Sequence, residues 1–141
     1  RNIEITGPEI QEAARYVNAD AFISKLPRGY EEKVYERGAT LSAGQRQLLS
    51  FARTLVFHPA ILILDEATAN IDTETEELIQ DALKKLMKGH TTLVVAHRLS
   101  TIQHADKIIV MHKGRIQEAG NHQELLAKKG IYYQLYQLQY Q

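Results

Sequence analysis

The stretch ILILDEATANID, residues 61–72, decides the fold class of this chain. It starts with a short unbroken apolar run, and a second such run, TTLVVA, occupies residues 91–96. Such runs with β-branched residues are typical of strands buried on both faces of a parallel sheet. Residues 73–89 between them predict a helix, so the three segments form a βαβ unit. The sequence therefore predicts an α/β fold.

The connecting helix is predicted from a cap and from an apolar stripe. Thr73 and Glu76 have the spacing of a capping box, so we expect the helix to start with Thr73 as its cap. Its expected buried face consists of apolar residues at helical spacing, namely Leu78, Ile79, Ala82, Leu83, Leu86 and Met87.

The residues before the βαβ unit are predicted to be mainly helical. Residues 8–19 have an apolar helical face and a proline in the first turn. Residues 19–30 predict a second short helix, which Pro27 and Gly29 end, and residues 31–40 predict a loop. A third helix is expected from residue 41 to Phe57, because the residue before a proline disfavours helical geometry.

The residues after the βαβ unit predict a hairpin and two closing helices. Residues 106–120 predict two strands joined by a turn at Lys113 and Gly114. Residues 121–130 and 131–140 predict helices. The expected apolar face of the last helix consists of Ile131, Leu135 and Leu138.

The composition excludes several classes of protein. The 17 Lys and Arg residues balance 17 Asp and Glu residues, so no overall basic field favours a nucleic-acid partner. Cysteine is absent, which excludes disulfides and thiolate metal sites. The longest apolar run, residues 60–64, is far shorter than the roughly 20 residues of a membrane span. Because the chain opens on Arg1, we expect it to be the C-terminal part of a longer protein.

Two adjacent carboxylates follow the first predicted strand. They lie at the carboxyl end of a strand, where α/β folds bind ligands. Consecutive strand residues point to opposite sides, so Asp65 and Glu66 can have different roles. Asp65 suits a hydrated Mg²⁺, and Glu66 suits polarising a water for in-line attack on a phosphate. For the bare pattern, a strand leading into a polar loop remains an alternative.

The segment SAGQ, residues 42–45, contains a glycine in the first turn of a predicted helix. Ser42 and Gln45 match a capping box, but Gly44 costs about 1 kcal/mol of helix propensity relative to alanine. A helix N-terminus presents unpaired N–H groups and partial positive charge, and a glycine lets a phosphate approach them. We therefore expect an anion site at Gly44, and we expect Gly44→Ala to leave the helix no less stable.

His97 follows the second predicted strand, again at a carboxyl end. For the bare pattern, a structural histidine is the more common interpretation. No HxH or HExxH spacing occurs, so the sequence predicts no zinc site.

The order of these motifs resembles the nucleotide-binding domain of an ATP-binding cassette (ABC) transporter. The resemblance is carried by LSAGQ at residues 41–45, ILILDE at 61–66, ATANID at 67–72 and VVAHRLSTIQHAD at 94–106. YERGATLSAGQ, from Tyr35, and the residues after His97 are similar to the multidrug and lipid exporters of the family.

The resemblance implies a domain organisation. The fold would be part of a P-loop NTPase (RecA-like) core with a mostly parallel sheet flanked by helices. Residues 1–58 would form the ABC helical subdomain with the signature motif. Residues 59–141 would form the C-terminal part of the ATPase core, with Walker B, the D-loop, the switch histidine and the closing helices.

The resemblance also implies roles for individual residues, with ATP and Mg²⁺ as cofactors. Glu66 would be the catalytic carboxylate, His97 would contact the γ-phosphate, and Asp65 would hold the metal. The remaining cofactor-binding residues would be those of the signature motif and the end of the D-loop, namely Leu41, Ser42, Ala43, Gly44, Gln45 and Asp72.

The sequence departs from the family pattern at two places. Ala43 stands where the signature motif commonly has a glycine, and residues 69–72 read Ala-Asn-Ile-Asp where Ser-Ala-Leu-Asp is common. Neither departure removes a catalytic group, and both are compatible with one half of a heterodimer. The phosphate-binding pattern G-x-x-x-x-G-K-[ST] does not occur in these 141 residues.

The resemblance implies partners and a location. A second nucleotide-binding domain would pair head to tail in a homo- or heterodimer, and Glu36, Arg37 and Gly38 would face the coupling helices of a transmembrane domain at the cytoplasmic face of the membrane. The parent protein would hydrolyse MgATP to drive export, whereas we expect this chain alone to be inactive. No nucleic-acid partner is expected.

Two alternatives remain open at this point. One is a cassette ATPase without a membrane domain that acts on DNA or ribosomes, although residues 36–38 and the absence of basic clusters argue against it. The other is a non-enzymatic interaction fragment.

Overall fold

The computed structural model describes residues 4–35, 38–65, 71–96 and 98–139. The chain forms two compact units, residues 1–93 and residues 94–141. The predicted boundary between subdomains at residues 58 and 59 is a different kind of division, and it stays a prediction.

The described helices and strands follow the predicted order, except for a short helix at Leu99–Ile102 that was not predicted. They are α1 (Gly7–Tyr16), α2 (Asp20–Ile23), a 3₁₀ turn (Gly29–Glu31), α3 (Ala43–Val56), β1 (Ile61–Asp65), α4 (Thr73–Met87), β2 (Thr91–Val95), α5 (Leu99–Ile102), β3 (Ile108–His112), β4 (Arg115–Gly120), α6 (His122–Lys128) and α7 (Ile131–Gln139).

Strands β1 and β2 pair in a small parallel sheet, and α4 connects them along the chain. This is the βαβ unit expected from the two apolar runs. The predicted α/β fold class is therefore confirmed.

The core of the first unit lies where α3 packs against both α1 and α4. Each of these helices has an apolar face at helical spacing, as the sequence predicts. The buried residues at this junction include Ala14, Val17, Leu48, Phe51, Leu62, Ile79, Leu83 and Leu86. Helix α3 thus occupies the centre of the unit, so its ends are placed by packing as well as by local sequence.

The start of α4 differs from the prediction. The cap is Asp72, whose carboxylate accepts the Thr75 N–H at 2.9 Å, and Thr73 is already the first helical residue. Aspartate is a stronger helix cap than threonine, so the helix starts one residue earlier than the Thr73–Glu76 pattern predicted. The predicted stripe is otherwise correct, except that Leu78 lies at its exposed margin.

The expectation that β1 is buried on both faces is wrong. Leu62 is 2% exposed and belongs to the core, whereas Ile63 is 70% exposed and Ile61 is also exposed. Alternate residues of a strand point to opposite faces. The helices of the first unit pack against the Leu62 face, and no described element of that unit covers the face that carries Ile61 and Ile63.

The second unit contains the predicted hairpin. Strands β3 and β4 pair antiparallel, with an irregularity of register between Val110 and Met111. The turn residues Lys113 and Gly114 both have positive φ, 49° and 72°, as a two-residue hairpin turn of the primed type requires.

The predicted apolar face of α7 is wrong. Tyr132 is fully buried, whereas Leu135 is exposed and Leu138 is 74% exposed. The hydroxyl of Tyr132 lies 2.8 Å from Nδ1 of His122, and the Glu118 carboxylate accepts the N–H groups of Ile131 at 2.7 Å and Tyr132 at 3.0 Å. These contacts fix the rotation of α7 about its axis, which the apolar periodicity alone did not determine.

We expect the isolated 141-residue chain to self-associate, because exposed apolar side chains and strand edges favour association. Replacing the exposed Ile63 by Thr should reduce the apparent mass in light scattering at high concentration while leaving the unfolding transition nearly unchanged. The matched control is Leu62→Ala, which should cost about 2–5 kcal/mol of stability because it opens a cavity in the core. A monodisperse monomer for the unmodified chain at high concentration would contradict this expectation.

Candidate functional site

The N-terminus of α3 is closed by the predicted capping box. Ser42 Oγ accepts the Gln45 N–H at 3.2 Å, and Gln45 Oε1 accepts the Ser42 N–H at 3.0 Å. Ala43 and Gly44 follow as the first helical residues, whose N–H groups have no acceptor within the helix. This end of α3 therefore presents N–H donors and the positive end of the helix dipole.

Gly44 is buried, and the first turn of α4 covers it. A Cβ built at this position would collide with Cγ2 of Thr75, and it would lie 3.2 Å from Cβ of Thr75 and 3.3 Å from Cγ2 of Ile71. The expectation that Gly44→Ala leaves the helix no less stable is therefore wrong. Close packing between two helices is sufficient to require a glycine here.

The same threonine connects α3 to Asp72. Asp72 accepts the Thr75 N–H, and this bond is the main cause that holds the pKa of the Asp72 carboxyl below its usual value. Thr75 thus contacts Gly44 on one side and Asp72 on the other. The structure brings together two segments that the sequence analysis assigned to cofactor binding.

Arg46 holds the loop before α3 through hydrogen bonds, a role that the sequence did not predict. Its Nη1 donates to the Leu41 carbonyl at 2.5 Å and to the Gly38 carbonyl at 3.5 Å. Gly38 is buried and has φ of 64°, which favours glycine. A cation in the first turns of a helix opposes the helix dipole. That unfavourable position was the signal in the sequence that Arg46 has a specific partner.

Comparison with known proteins relates this chain to ABC transporters. Residues 4–69 match the family model described as ABC transporter. The chain is 60% identical over 135 residues to a "probable multidrug resistance ABC transporter ATP-binding/permease protein" of Bacillus subtilis, covering 96% of the chain and 20% of the relative. It is 52% identical over 135 residues to multidrug resistance protein 4 of Entamoeba histolytica, covering 96% of the chain and 10% of the relative.

A solved structure gives the same result. The chain superposes on a bacterial Atm1-family ABC exporter with ATP bound, with a TM-score of 0.84 and 41% identity, over 96% of this chain and 24% of that one. The chain contains part of an ABC transporter nucleotide-binding domain. It spans only about a fifth of the length of the Bacillus relative.

Within this ABC nucleotide-binding domain, Asp65 is the last residue of β1 and is exposed. No group of three His, Cys, Asp or Glu side chains in the described residues could hold a metal ion. Mg²⁺ commonly takes only one or two carboxylates and completes its shell with water and substrate phosphates. The single carboxylate of Asp65 therefore fits a Mg²⁺ that arrives with a nucleotide.

Four of the residues to which the resemblance gave roles lie outside the described residues. They are Glu36, Arg37, Glu66 and His97. Their roles stay predictions, as do those of the signature residues and Asp72.

The hydrogen bonds of Asp72 predict a pH-dependent contribution to stability. The pKa of this carboxyl is lowered on folding, so its contribution is complete above the unfolded pKa of about 3.9 and is lost as the pH falls through the folded value. Asp72→Ala should lower the free energy of unfolding at neutral pH, whereas Asp72→Asn, which still caps a helix, should lower it less. The difference between wild type and Asp72→Asn should shrink in acid. Denaturant titrations of the three proteins at neutral and acid pH test this, and equal stabilities of wild type and Asp72→Ala at neutral pH would contradict it.

Proposed function

We propose that this chain provides the signature helix, the Walker B carboxylates, the D-loop and the switch histidine of an ABC exporter that binds and hydrolyses MgATP. The observation that supports the proposal is the contact of Gly44, at the α3 N-terminus, with Thr75, whose N–H donates to Asp72. The ABC family match and the likeness to an ATP-bound exporter support it.

The α3 N-terminus would bind phosphate through its backbone and through Ser42. The N–H groups of Ala43 and Gly44 and the helix dipole favour an anion at this end. The Ser42 hydroxyl accepts from Gln45 and keeps its own proton for donation to a phosphate oxygen. Arg46 holds the preceding loop in place and adds a positive charge nearby.

The carboxylates after β1 would serve the chemical step. Asp65 would hold Mg²⁺, which when bound neutralises charge on the transferred phosphate. Glu66, the next residue, would accept a proton from the attacking water. His97 would orient the γ-phosphate and that water through hydrogen bonds.

A head-to-tail dimer would complete each site. Ser42 and Gly44 of one domain would face a nucleotide held by Glu66 and His97 of the other. The signature motif at the α3 N-terminus, with its first-turn N–H donors, supports sharing. Ala43 and Asn70 depart from the common family pattern, and both departures are compatible with a second domain that differs from this one.

The loop before the signature motif would face a transmembrane partner at the cytoplasmic side of the membrane. In the described residues, no helix is long and apolar enough to cross a membrane. Val34 and Tyr35 are exposed, and an apolar groove of about 410 Å³ lies beside them between α1, α2 and α3. An apolar surface that includes Val34 suits the docking of a short helix from a permease domain. The Bacillus relative is named as an ATP-binding/permease protein.

Glu66→Gln tests the catalytic assignment in the full-length parent. Glutamine keeps the shape of the side chain but cannot accept the proton, so turnover should fall by roughly 10²–10⁴-fold while ATP binding is retained. Steady-state ATPase assays and nucleotide binding measure the two effects. Turnover within about threefold of wild type would exclude Glu66 as the general base.

His97→Ala should lower turnover far more than it weakens ATP binding, because the histidine orients groups in the transition state. His104→Ala is the matched control, since His104 is an exposed residue of the following turn and should change neither quantity. The same assays apply, and equal losses in both variants would indicate a structural histidine. The isolated 141-residue chain should show no ATPase activity in any variant.

A further inference from the structure

We infer that Thr75 is a positioning residue for the signature motif: its methyl group, packed on Gly44, sets where the N–H groups of the α3 N-terminus lie. The inference rests on the proposed function, in which those N–H groups bind a phosphate of ATP. It assigns a role to a residue that is outside the signature motif and outside the D-loop residues 69–72.

The contact between Thr75 and Gly44 is a steric constraint. Cγ2 of Thr75 occupies the space in which a Cβ of residue 44 would lie, and Ile71 closes the same space from a second direction. Protein interiors are close-packed, so there is no empty space here that could absorb an added methyl group, and the surrounding atoms have to move. An added methyl at residue 44 must therefore push α3 and α4 apart or rotate Thr75.

Rotation of the Thr75 side chain could relieve the clash, but this rotation is restricted. Threonine is β-branched and has few χ1 rotamers in a helix, and its backbone is held by the bond from its N–H to the Asp72 carboxylate at 2.9 Å. The alternative is a shift of the α3 N-terminus away from Thr75.

The two parts of α3 differ in what they pack against. Leu48, Phe51 and Ala52 are buried in the core farther along the helix. The end that carries Gly44 has Thr75 and Ile71 against it, so a clash there displaces the N–H groups of the first turn first. Thr75 therefore controls the position of the groups to which phosphate binding is assigned.

The experiment compares three variants of the full-length parent: Gly44→Ala, Gly44→Ala with Thr75→Ser, and Gly44→Ala with Thr75→Val. Serine removes Cγ2 and keeps the hydroxyl, whereas valine keeps a methyl at that position. The single variants Thr75→Ser and Thr75→Val serve as controls. KM and kcat for ATP are measured below the unfolding midpoint of every variant.

Gly44→Ala should lower kcat/KM for ATP by at least about tenfold, with a rise in KM, because misplaced binding groups weaken nucleotide contacts. Thr75→Ser in the same chain should restore KM to within about threefold of wild type, and Thr75→Val should not. A role confined to stability would lower the amount of active protein at constant KM, so KM is the deciding quantity.

Two results would overturn the inference. One is a wild-type KM in Gly44→Ala. The other is a double variant with Thr75→Ser that regains the unfolding midpoint but not KM, which would show that the methyl obstructs the phosphate itself. If Gly44→Ala does not fold, the two double variants decide. A KM near wild type with Thr75→Ser but not with Thr75→Val supports the inference, and equal KM values in the two double variants overturn it. A wild-type parent without ATPase activity would reject the proposed function instead.

Discussion

The close approach of α3 to α4 at Gly44 is the constraint on which the first unit depends. Two helix N-termini meet there, each closed by its own cap: Ser42 for α3 and Asp72 for α4. Thr75 belongs to both halves of this junction, since it packs on Gly44 and donates to Asp72. Local capping and interhelical packing therefore meet in one residue, Thr75.

The opposite part of α4 is held by a polar network to the end of α1. Asn18, which has φ of 63°, donates to Asp81 at 2.8 Å and to the Leu78 carbonyl at 3.2 Å, and Lys85 donates to Asn18 at 3.2 Å. Exposed ion pairs such as Lys85 with Asp81 contribute little to stability by themselves. The network instead fixes the direction of α4. The helix is thus anchored near Asn18 by polar groups and near Gly44 by packing.

The two errors about buried faces have a common cause. Apolar periodicity tells which residues can be buried, but what lies opposite them decides which are. In β1, the run of apolar residues predicted two covered faces, whereas the described helices of the first unit cover only the face of Leu62. In α7, the bonds of Glu118 to the helix N-terminus and the buried Tyr132 determine the rotation, although Leu135 and Leu138 have the stronger apolar character.

The sequence by itself determined the order of strands and helices, the Ser42–Gln45 capping box and the turn at Lys113, because these depend on neighbours within a few residues. It also identified Gly44 as an unusual residue, but the packing of Thr75 against it could not be predicted from the sequence. Only the tertiary structure decided that Thr75 lies against Gly44 and that Arg46 fastens the preceding loop. Those contacts join residues from separate elements, and their geometry depends on how α3 and α4 pack.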